Sequence, residues 1–175
     1  MFDLDRQRSE QTAARCTNLF PSIAIEIAND AREVIKKCRL ISFATVAARP
    51  HIQTDHGFLP GTTVLHVSLR DLSEEIILGA HNIVDDVEHV CRAQTSVHLT
   101  EQLTGNRGFI AGTLADVISD PAKARTQGKP TIFSPFGLGI LDLAVADYVL
   151  TCALKQGLGT ELRDFYLEPL KILTY

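Results

Sequence analysis

The chain has no tryptophan, a single methionine and no glycine before Gly57. Its 175 residues contain no G-x-G-x-x-G turn and no Walker lysine motif, so a complete phosphate-binding fingerprint is absent. The four cysteines have no C-x-x-C spacing, which argues against a zinc knuckle or a redox-active pair. The lack of a G-x-S-x-G sequence argues against the nucleophile elbow of the α/β-hydrolases.

The 17 basic and 21 acidic residues are interspersed and give a net charge of −4. No basic stripe is present of the kind that binds nucleic acid. No apolar run reaches the ~18 to 20 residues that a membrane span needs, and the N-terminus lacks the order of a signal peptide. We therefore expect a cytoplasmic protein that binds neither nucleic acid nor membrane.

Hydrophobic periodicity predicts an α/β fold in which strands and helices alternate. Strands are expected at residues 22–27, 40–46, 63–68, 82–85 and 131–133. Helices are expected at residues 5–19, 31–37, 73–78, 113–118 and 140–154, with one broken helix or two helices over 87–103 and a flexible glycine-spaced connection over 105–112. The alternation predicts a parallel sheet with helices on its faces, followed by C-terminal helices.

Two acids near the start suggest a cofactor contact. The segment Met1-Phe2-Asp3-Leu4-Asp5 is expected to be the end of a short apolar strand that closes on acids, and a polar helix pattern follows. In a nucleotide-binding βαβ unit, an acid at the end of the second strand binds the ribose, about 20 residues after the glycine turn. Asp3 is therefore a candidate ribose ligand, and the alternative is that these acids cap the helix, which suits Asp5.

Other candidates follow predicted strands, where open α/β sheets bind their ligands. Thr45 and Val46 end one strand, and Thr45 either contacts a cofactor or caps the loop. Ser68 and Asp71 follow the next strand, with Arg70 between them. Arg70 and Asp71 could hold an amino-acid carboxylate and amine, or the segment could instead be a helix N-cap with acids in the first turn.

Two further segments carry polar or flexible residues. Asp85 and His89 are four residues apart, which gives at most half a metal site, so no metal is expected. The turn from Ser134 to Gly139 could approach a ligand or a helix closely, because its two glycines, Gly137 and Gly139, tolerate unusual backbone angles and Pro135 needs no amide partner. A tight strand-to-helix turn explains the same residues equally well.

Three segments together resemble the ornithine cyclodeaminase and mu-crystallin family. They are Val67-Ser68-Leu69-Arg70-Asp71, Asn82-Ile83-Val84-Asp85-Asp86 and Ser134-Pro135-Phe136-Gly137-x-x-x-x-Asp142. The resemblance is strongest to the branch that makes 2,3-diaminopropionate, and it runs from about Phe2 to Gly159. It covers nearly the whole chain and the back half of the family's length.

The resemblance implies NAD as the cofactor and a role for each matching residue. Asp3 would bind the ribose, Thr45 and Val46 would belong to the loop over the cofactor, and Ser134 and Gly137 would lie near the nicotinamide. Ser68 or Asp71 falls where cyclodeaminases keep a catalytic aspartate, and Asp142 matches an acid on the following helix. Ser-Leu-Arg-Asp stands where cyclodeaminases have Gly-Asp, which favours the diaminopropionate branch.

The implied enzyme oxidises an aminocarboxyethyl-glutamate with NAD and releases 2-oxoglutarate and 2,3-diaminopropionate. The alternatives are an ornithine cyclodeaminase, a non-enzymatic mu-crystallin-like binding protein and a non-functional gene fragment. Residues 1–137 would form a Rossmann-type NAD-binding domain without its first β-α unit, and residues 138–175 would pack on an N-terminal substrate domain that is not in this sequence. The family implies a homodimer, and the chain alone is expected to be inactive.

Overall fold

The computed structural model describes residues 1–54 and 57–162. The five strands are β1 (Leu40–Phe43), β2 (Thr63–His66), β3 (His81–Val84), β4 (Ile110–Thr113) and β5 (Thr131–Ser134). The helices are α1 (Arg6–Leu19), α2 (Ala31–Lys37), α3 (Glu74–Gly79), α4 (Val87–Val90), α5 (Ser96–Thr104), α6 (Leu114–Ser119) and α7 (Gly139–Gln156), with a 3-10 helix at Pro121–Ala124.

The strands form one parallel sheet in the order β1-β2-β5-β3-β4. The core lies where α2 and α3 cover this sheet, and fully buried aliphatic side chains fill it, such as Ile35, Val64, Ile77 and Ile132. The predicted fold class, a parallel α/β sheet followed by a C-terminal helix, is confirmed. Because all strands are parallel, their carboxyl ends lie along the same edge.

Local sequence explains where several helices begin. Asp30 caps α2, since its side chain accepts a hydrogen bond of 2.8 Å from the backbone N of Glu33. Asp5 caps α1 in the same way, by accepting hydrogen bonds from two backbone N–H groups in the first turn. Thr113 and Asp116 form a reciprocal capping box at the start of α6. These caps satisfy donors that have no partner within the helix.

The expected strand at residues 22–27 is wrong. The alternation of Ile23, Ile25 and Ile27 fits a strand, but the segment forms no regular ladder. Two backbone hydrogen bonds tie it to Met1, one from the Met1 amino group to Glu26 O (2.6 Å) and one from Ala28 N to Met1 O (2.8 Å). Residues 1–3 are not a strand either, so the short strand expected before Asp3 is also wrong.

The glycine-spaced segment at 105–112 is more ordered than expected. Strand β4 occupies its end, pairs with β3, and includes Gly112. Elsewhere the differences are shifts of a few residues; the strands expected at 40–46 and 63–68 end at Phe43 and His66, so Thr45 and Ser68 lie in the loops beyond.

By its internal contacts the chain divides into a unit of Met1–Gly137 and a second unit that begins at Leu138. The second unit contains α7, whose 18 residues carry many exposed apolar side chains. Gly157 ends this helix in the left-handed conformation that glycine adopts easily. None of the helices in the described ranges has the length and apolar character that crossing a bilayer requires.

Candidate active site

Three neighbouring strands bring polar side chains to the carboxyl edge of the sheet. His66 is the last residue of β2 and Ser134 the last residue of β5, and these two strands are paired. Thr45 comes two residues after β1, which pairs with the other side of β2. Because the three strands are parallel neighbours, the loops that follow them start at the same edge of the sheet and can contact one another.

Asp71 lies at the centre of this group and is fully buried. Its Oδ1 accepts a hydrogen bond of 2.5 Å from Thr45 Oγ1, and its Oδ2 accepts one from Ser68 Oγ. Leu69, between Ser68 and Asp71, has a φ of 67°, a conformation that a branched side chain disfavours. The chain therefore adopts a strained turn at the point where it places the carboxylate under two hydroxyl donors.

His66 connects Asp71 to Ser134. Its Nε2 lies 3.1 Å from the backbone N of Asp71 and 3.3 Å from Asp71 Oδ2, and its Nδ1 lies 3.3 Å from Ser134 Oγ. The backbone N–H of Asp71 can only donate, so Nε2 accepts from it when the ring is neutral. The proton of the neutral ring is then on Nδ1, which donates to the Ser134 hydroxyl.

These partners keep Asp71 ionised. Burial by itself raises the pKa of Asp71, but the nearby His66 ring and the hydrogen bonds from Ser68 and Thr45 outweigh burial and lower it to about 2. A carboxylate that accepts several hydrogen bonds prefers its charged form. The site therefore contains a buried negative charge at neutral pH.

His51 lies beside this carboxylate at the surface. The backbone N–H groups of His51 and Ile52 both donate to the carbonyl of Asp71, at 2.9 and 2.8 Å. Ile52 and Leu72 form an isolated parallel β-bridge next to this contact. The ring Nε2 of His51 is 3.9 Å from Asp71 Oδ1, and the His51 side chain is 47% exposed.

The turn after β5 is fixed to the end of β3. The backbone N of Gly137 donates a hydrogen bond of 2.6 Å to Asp85 Oδ2. Gly137 has a φ of 103°, and a Cβ there would have no atom within 4 Å. The glycine is therefore required by its backbone angle, and the close approach of a ligand to Gly137 stays a prediction.

Of the residues expected from the sequence, the structure brings Thr45, Ser68, Asp71 and Ser134 together. Val46 is 99% exposed on the loop beyond Thr45. Asp3 lies at the start of α1, where its Oδ1 accepts a hydrogen bond of 2.8 Å from the backbone N of Asp5. This contact belongs to the capping alternative, and it leaves the second oxygen of Asp3 for other partners.

Two histidines of the site, His66 and His51, belong to none of the sequence motifs. His66 ends an otherwise apolar strand, and a polar residue at the carboxyl end of such a strand indicates a site residue. His51 follows Pro50 in a polar loop, and no sequence pattern places it near Asp71. Both contacts to Asp71 depend on how the loops fold over the sheet edge.

Arg70 contacts the loop that follows α4. Its Nη2 and Nε donate to the carbonyl oxygen of Ala93, at 2.8 and 3.2 Å. Ala93 and Gln94 both have positive φ angles, and the nearby Ser96 N donates to Leu69 O at 2.7 Å. Arg70 therefore joins two strained loops and helps to hold the turn that presents Asp71.

The order Ser134, His66, Asp71 has the residue types of a hydrolase triad, but the geometry does not suit that chemistry. Both His66 and Ser134 are buried, so a substrate carbonyl cannot reach the hydroxyl. The Nε2 of His66 also accepts from a backbone N–H, which fixes the ring in a structural role.

No metal centre is formed by the described ranges, where no group of three or more His, Cys, Asp or Glu side chains could hold an ion. Asp85 precedes α4 and binds Gly137 N, while His89 Nδ1 lies 3.5 Å from Asp86 Oδ1. The two residues considered as half a metal site thus have separate structural partners.

Comparisons with known proteins agree with this fold. No protein-family model matches the chain. An alanine dehydrogenase from Archaeoglobus fulgidus is 23% identical over 171 residues, which are 94% of this chain and 51% of that protein. The chain thus spans about half the length of the curated relative that it matches.

Solved structures extend the comparison. The Thermococcus litoralis Δ1-pyrroline-2-carboxylate reductase, in complex with NADH and L-proline, superposes with a TM-score of 0.83 at 24% identity, over 92% of this chain and 51% of that one. A lysine cyclodeaminase that recognises L-lysine, L-ornithine and L-2,4-diaminobutyric acid gives 0.71 at 24% identity, over 90% and 46%. These two neighbours are thus a reductase solved with NADH and a cyclodeaminase, and at these identities the likeness establishes the fold.

Proposed function

We propose that this chain is the cofactor-binding and C-terminal part of a cytoplasmic NAD-dependent dehydrogenase that acts on an amino-acid-derived secondary amine. The observation that carries the proposal is the group Thr45, Ser68, Asp71 and Ser134 at one carboxyl edge of a parallel sheet. This is the edge at which open α/β sheets bind dinucleotides and their substrates. The likeness to a reductase solved with NADH supports the same cofactor.

The residues at this edge suit a nicotinamide and its ribose. Thr45 is exposed although its hydroxyl donates to Asp71, and Gly137 adds an open backbone without a side chain. Thr45, Val46 and the turn from Ser134 to Gly137 would hold this part of the cofactor, and Asp3 would bind the adenosine ribose. NAD supplies a hydride acceptor to such a site. The protein's part would be to orient the substrate carbon and to supply the fixed negative charge of Asp71 at this edge of the sheet.

For the substrate, we favour an aminocarboxyethyl-glutamate, which yields 2,3-diaminopropionate and 2-oxoglutarate. The support is the Ser68-Leu69-Arg70-Asp71 sequence. In it Ser68 donates to the Asp71 carboxylate, and Arg70 donates to the Ala93 carbonyl and so fixes the loop. The rival substrate is ornithine, which a cyclodeaminase converts to proline and ammonia, and the lysine cyclodeaminase with this fold keeps that rival open.

We also propose that residues 138–175 pack on a substrate-binding domain and that the whole enzyme is a homodimer. The support lies in α7 itself, where apolar side chains such as Ile140, Leu143, Leu150 and Leu154 are each more than half exposed within the described residues. A helix that is apolar on most of its surface needs a covering partner.

Nitrogen-labelled protein titrated with NADH tests the cofactor site at millimolar ligand, where weak binding is still visible. We expect amide shifts at Thr45, Ser134 and Gly137, with little change at His81, which begins β3 at the opposite edge of the sheet. Shifts confined to other regions, or no shift at all, would refute the proposal. Adding the glutamate conjugate or ornithine to the NADH-bound protein then separates the two substrates, and binding without turnover in the assembled enzyme would favour a mu-crystallin-like ligand carrier.

A further inference from the structure

We propose that His51 is the acid–base residue of this site and that buried Asp71 is the carboxylate that orients it. This inference rests on the proposed function, since it assigns a proton carrier to the oxidation of an amine. It concerns a residue that neither the sequence motifs nor the strand-end pattern singled out.

The backbone holds His51 and Asp71 side by side. The carbonyl of Asp71 accepts from the N–H groups of both His51 and Ile52, and Ser73 N donates back to Ile52 O at 3.0 Å. The bridge between Ile52 and Leu72 extends this contact on the buried side. The backbone of His51 therefore stays beside Asp71, and its ring can reach Oδ1 by rotation about the side-chain torsions alone.

The two side chains differ in what they can touch. Asp71 has 0% of its side chain exposed and His51 has 47%, with 3.9 Å between His51 Nε2 and Asp71 Oδ1. A ligand at the sheet edge can contact the imidazole but not the carboxylate. Oδ1 accepts from Thr45 as well, and a carboxylate oxygen has a second lone pair for an imidazole N–H.

The separation of 3.9 Å is too long for a hydrogen bond, yet such contacts commonly tighten only when ligand binds. A proton on Nε2, directed at Oδ1, would leave the lone pair of Nδ1 available. His66 also approaches Asp71, but it is fully buried and its Nε2 accepts from the backbone of Asp71. Of these two histidines, His51 is the one that can exchange protons with a substrate.

The chemistry of amine oxidation needs such a group. A secondary amine is a cation at neutral pH and has no lone pair with which to form a C=N bond. One N–H bond of the substrate ammonium group must break, and its proton forms a new N–H bond at Nδ1 of His51. The hydrogen on the carbon can then leave as a hydride with both electrons of the C–H bond, which bound NAD would accept. The nitrogen lone pair becomes the second bond of the C=N iminium.

Hydrolysis of the iminium uses the same group again, after the first proton has passed to solvent. His51 takes a proton from water as the water oxygen bonds to the iminium carbon. His51 then returns that proton to the nitrogen, and the C–N bond breaks as the hydroxyl oxygen forms the C=O bond and loses its own proton to solvent. The products are a carbonyl and a free amine, and His51 ends in the form in which it began.

The ring nitrogens of His51 can be observed directly by ¹⁵N NMR of histidine-labelled protein. His51→Gln assigns the signal, and His81→Gln, at the opposite edge of the sheet, is the matched control. We expect the neutral ring of His51 to carry its proton on Nε2 in the wild type and to become a mixture of tautomers in Asp71→Asn. A wild-type ring protonated on Nδ1, or a tautomer that Asp71→Asn leaves unchanged, would overturn the inference.

The second measurement adds the aminocarboxyethyl-glutamate to protein with NADH. We expect a shift of the Nδ1 signal of His51 that His81 does not show. If the amides of Ser134 and Gly137 respond to NADH while Nδ1 does not respond to the conjugate, the acid–base role fails and the proposed function stands. If those amides do not respond to NADH, the proposed function itself fails, and the role of His51 in it fails too.

Discussion

The hydroxyl of Thr45 lies 2.5 Å from Oδ1 of Asp71, although 26 residues separate them in the chain. Thr45 comes from the loop after β1 and Asp71 from the loop after β2, so this bond ties together two strand ends that the sheet places side by side. It also supplies one of the donors that keep the buried carboxylate charged.

Replacing Thr45 with valine should remove that donor without changing the size of the side chain. We expect a loss of about 1.5 to 3 kcal/mol in the free energy of unfolding, the usual value of a hydrogen bond to a charged group. The pKa of Asp71 should rise, because the charged form loses a partner. Urea unfolding at neutral pH measures the first effect. Thr151→Val, on an exposed face of α7, is the control and should change stability by less than about 0.5 kcal/mol.

The charge on Asp71 should make stability depend on pH in acid. The pKa of Asp71 falls from its ordinary value of 3.8 to about 2 on folding, so its contribution is fully present above about pH 4 and is lost as pH falls toward 2. The loss should be about 2 kcal/mol, from the 1.36 kcal/mol that each pKa unit represents. Unfolding of the wild type and Asp71→Asn across this range tests it. A stability difference between the two proteins that stays constant from pH 2 to 5 would contradict the assignment.

Much of this site follows from one rule that needs no structure. Parallel strands end at the same edge, so polar residues that follow apolar strands are expected to meet, and Thr45, Ser68, Asp71 and Ser134 do. What could not be predicted depends on contacts between distant loops. His51 lies in the loop after β1 and Asp71 in the loop after β2, and no local pattern encodes the contact between them.

The errors in the fold have the same cause. Residues 22–27 alternate as a strand should, yet a strand needs a partner ladder, and Met1 alone supplies two bonds. Strand β4 contains Ala111 and Gly112, which have low strand propensity, and pairing with β3 decides its structure. Arg70, a candidate ligand-binding cation, donates to the carbonyl of Ala93 in a strained turn, and this contact between distant loops could not be predicted from the sequence.

Gly137 should resist replacement because of its backbone angle. At a φ of 103°, any other residue is strained, and we expect Gly137→Val to cost about 1 to 3 kcal/mol of stability. The hydrogen bond from its N–H to Asp85 should weaken as the turn shifts, which the amide signal of residue 137 would report. Gly139→Ala is the matched control, since Gly139 has no such angle and begins α7. Equal stability of Gly137→Val and Gly139→Ala would show that the turn does not depend on this conformation.

Cofactor affinity should be weak for the chain as it stands. A dinucleotide site obtains much of its affinity from a glycine turn at a helix N-terminus that binds the pyrophosphate, and the 175 residues contain no such sequence. Asp3 can add hydrogen bonds of about 1.5 to 3 kcal/mol to a ribose, and one of its oxygens already accepts from Asp5 N. We therefore expect a dissociation constant for NADH well above the micromolar range.

Fluorescence titration measures this dissociation constant, since the lack of tryptophan leaves the NADH emission free of that background. Asp3→Asn should weaken binding further, whereas Asp30→Asn, which retains a capping side chain at α2, should not. Micromolar binding by the unaltered chain would mean that the described residues form a pyrophosphate site without the glycine turn. The expectation that tight NADH binding needs that turn would then be wrong.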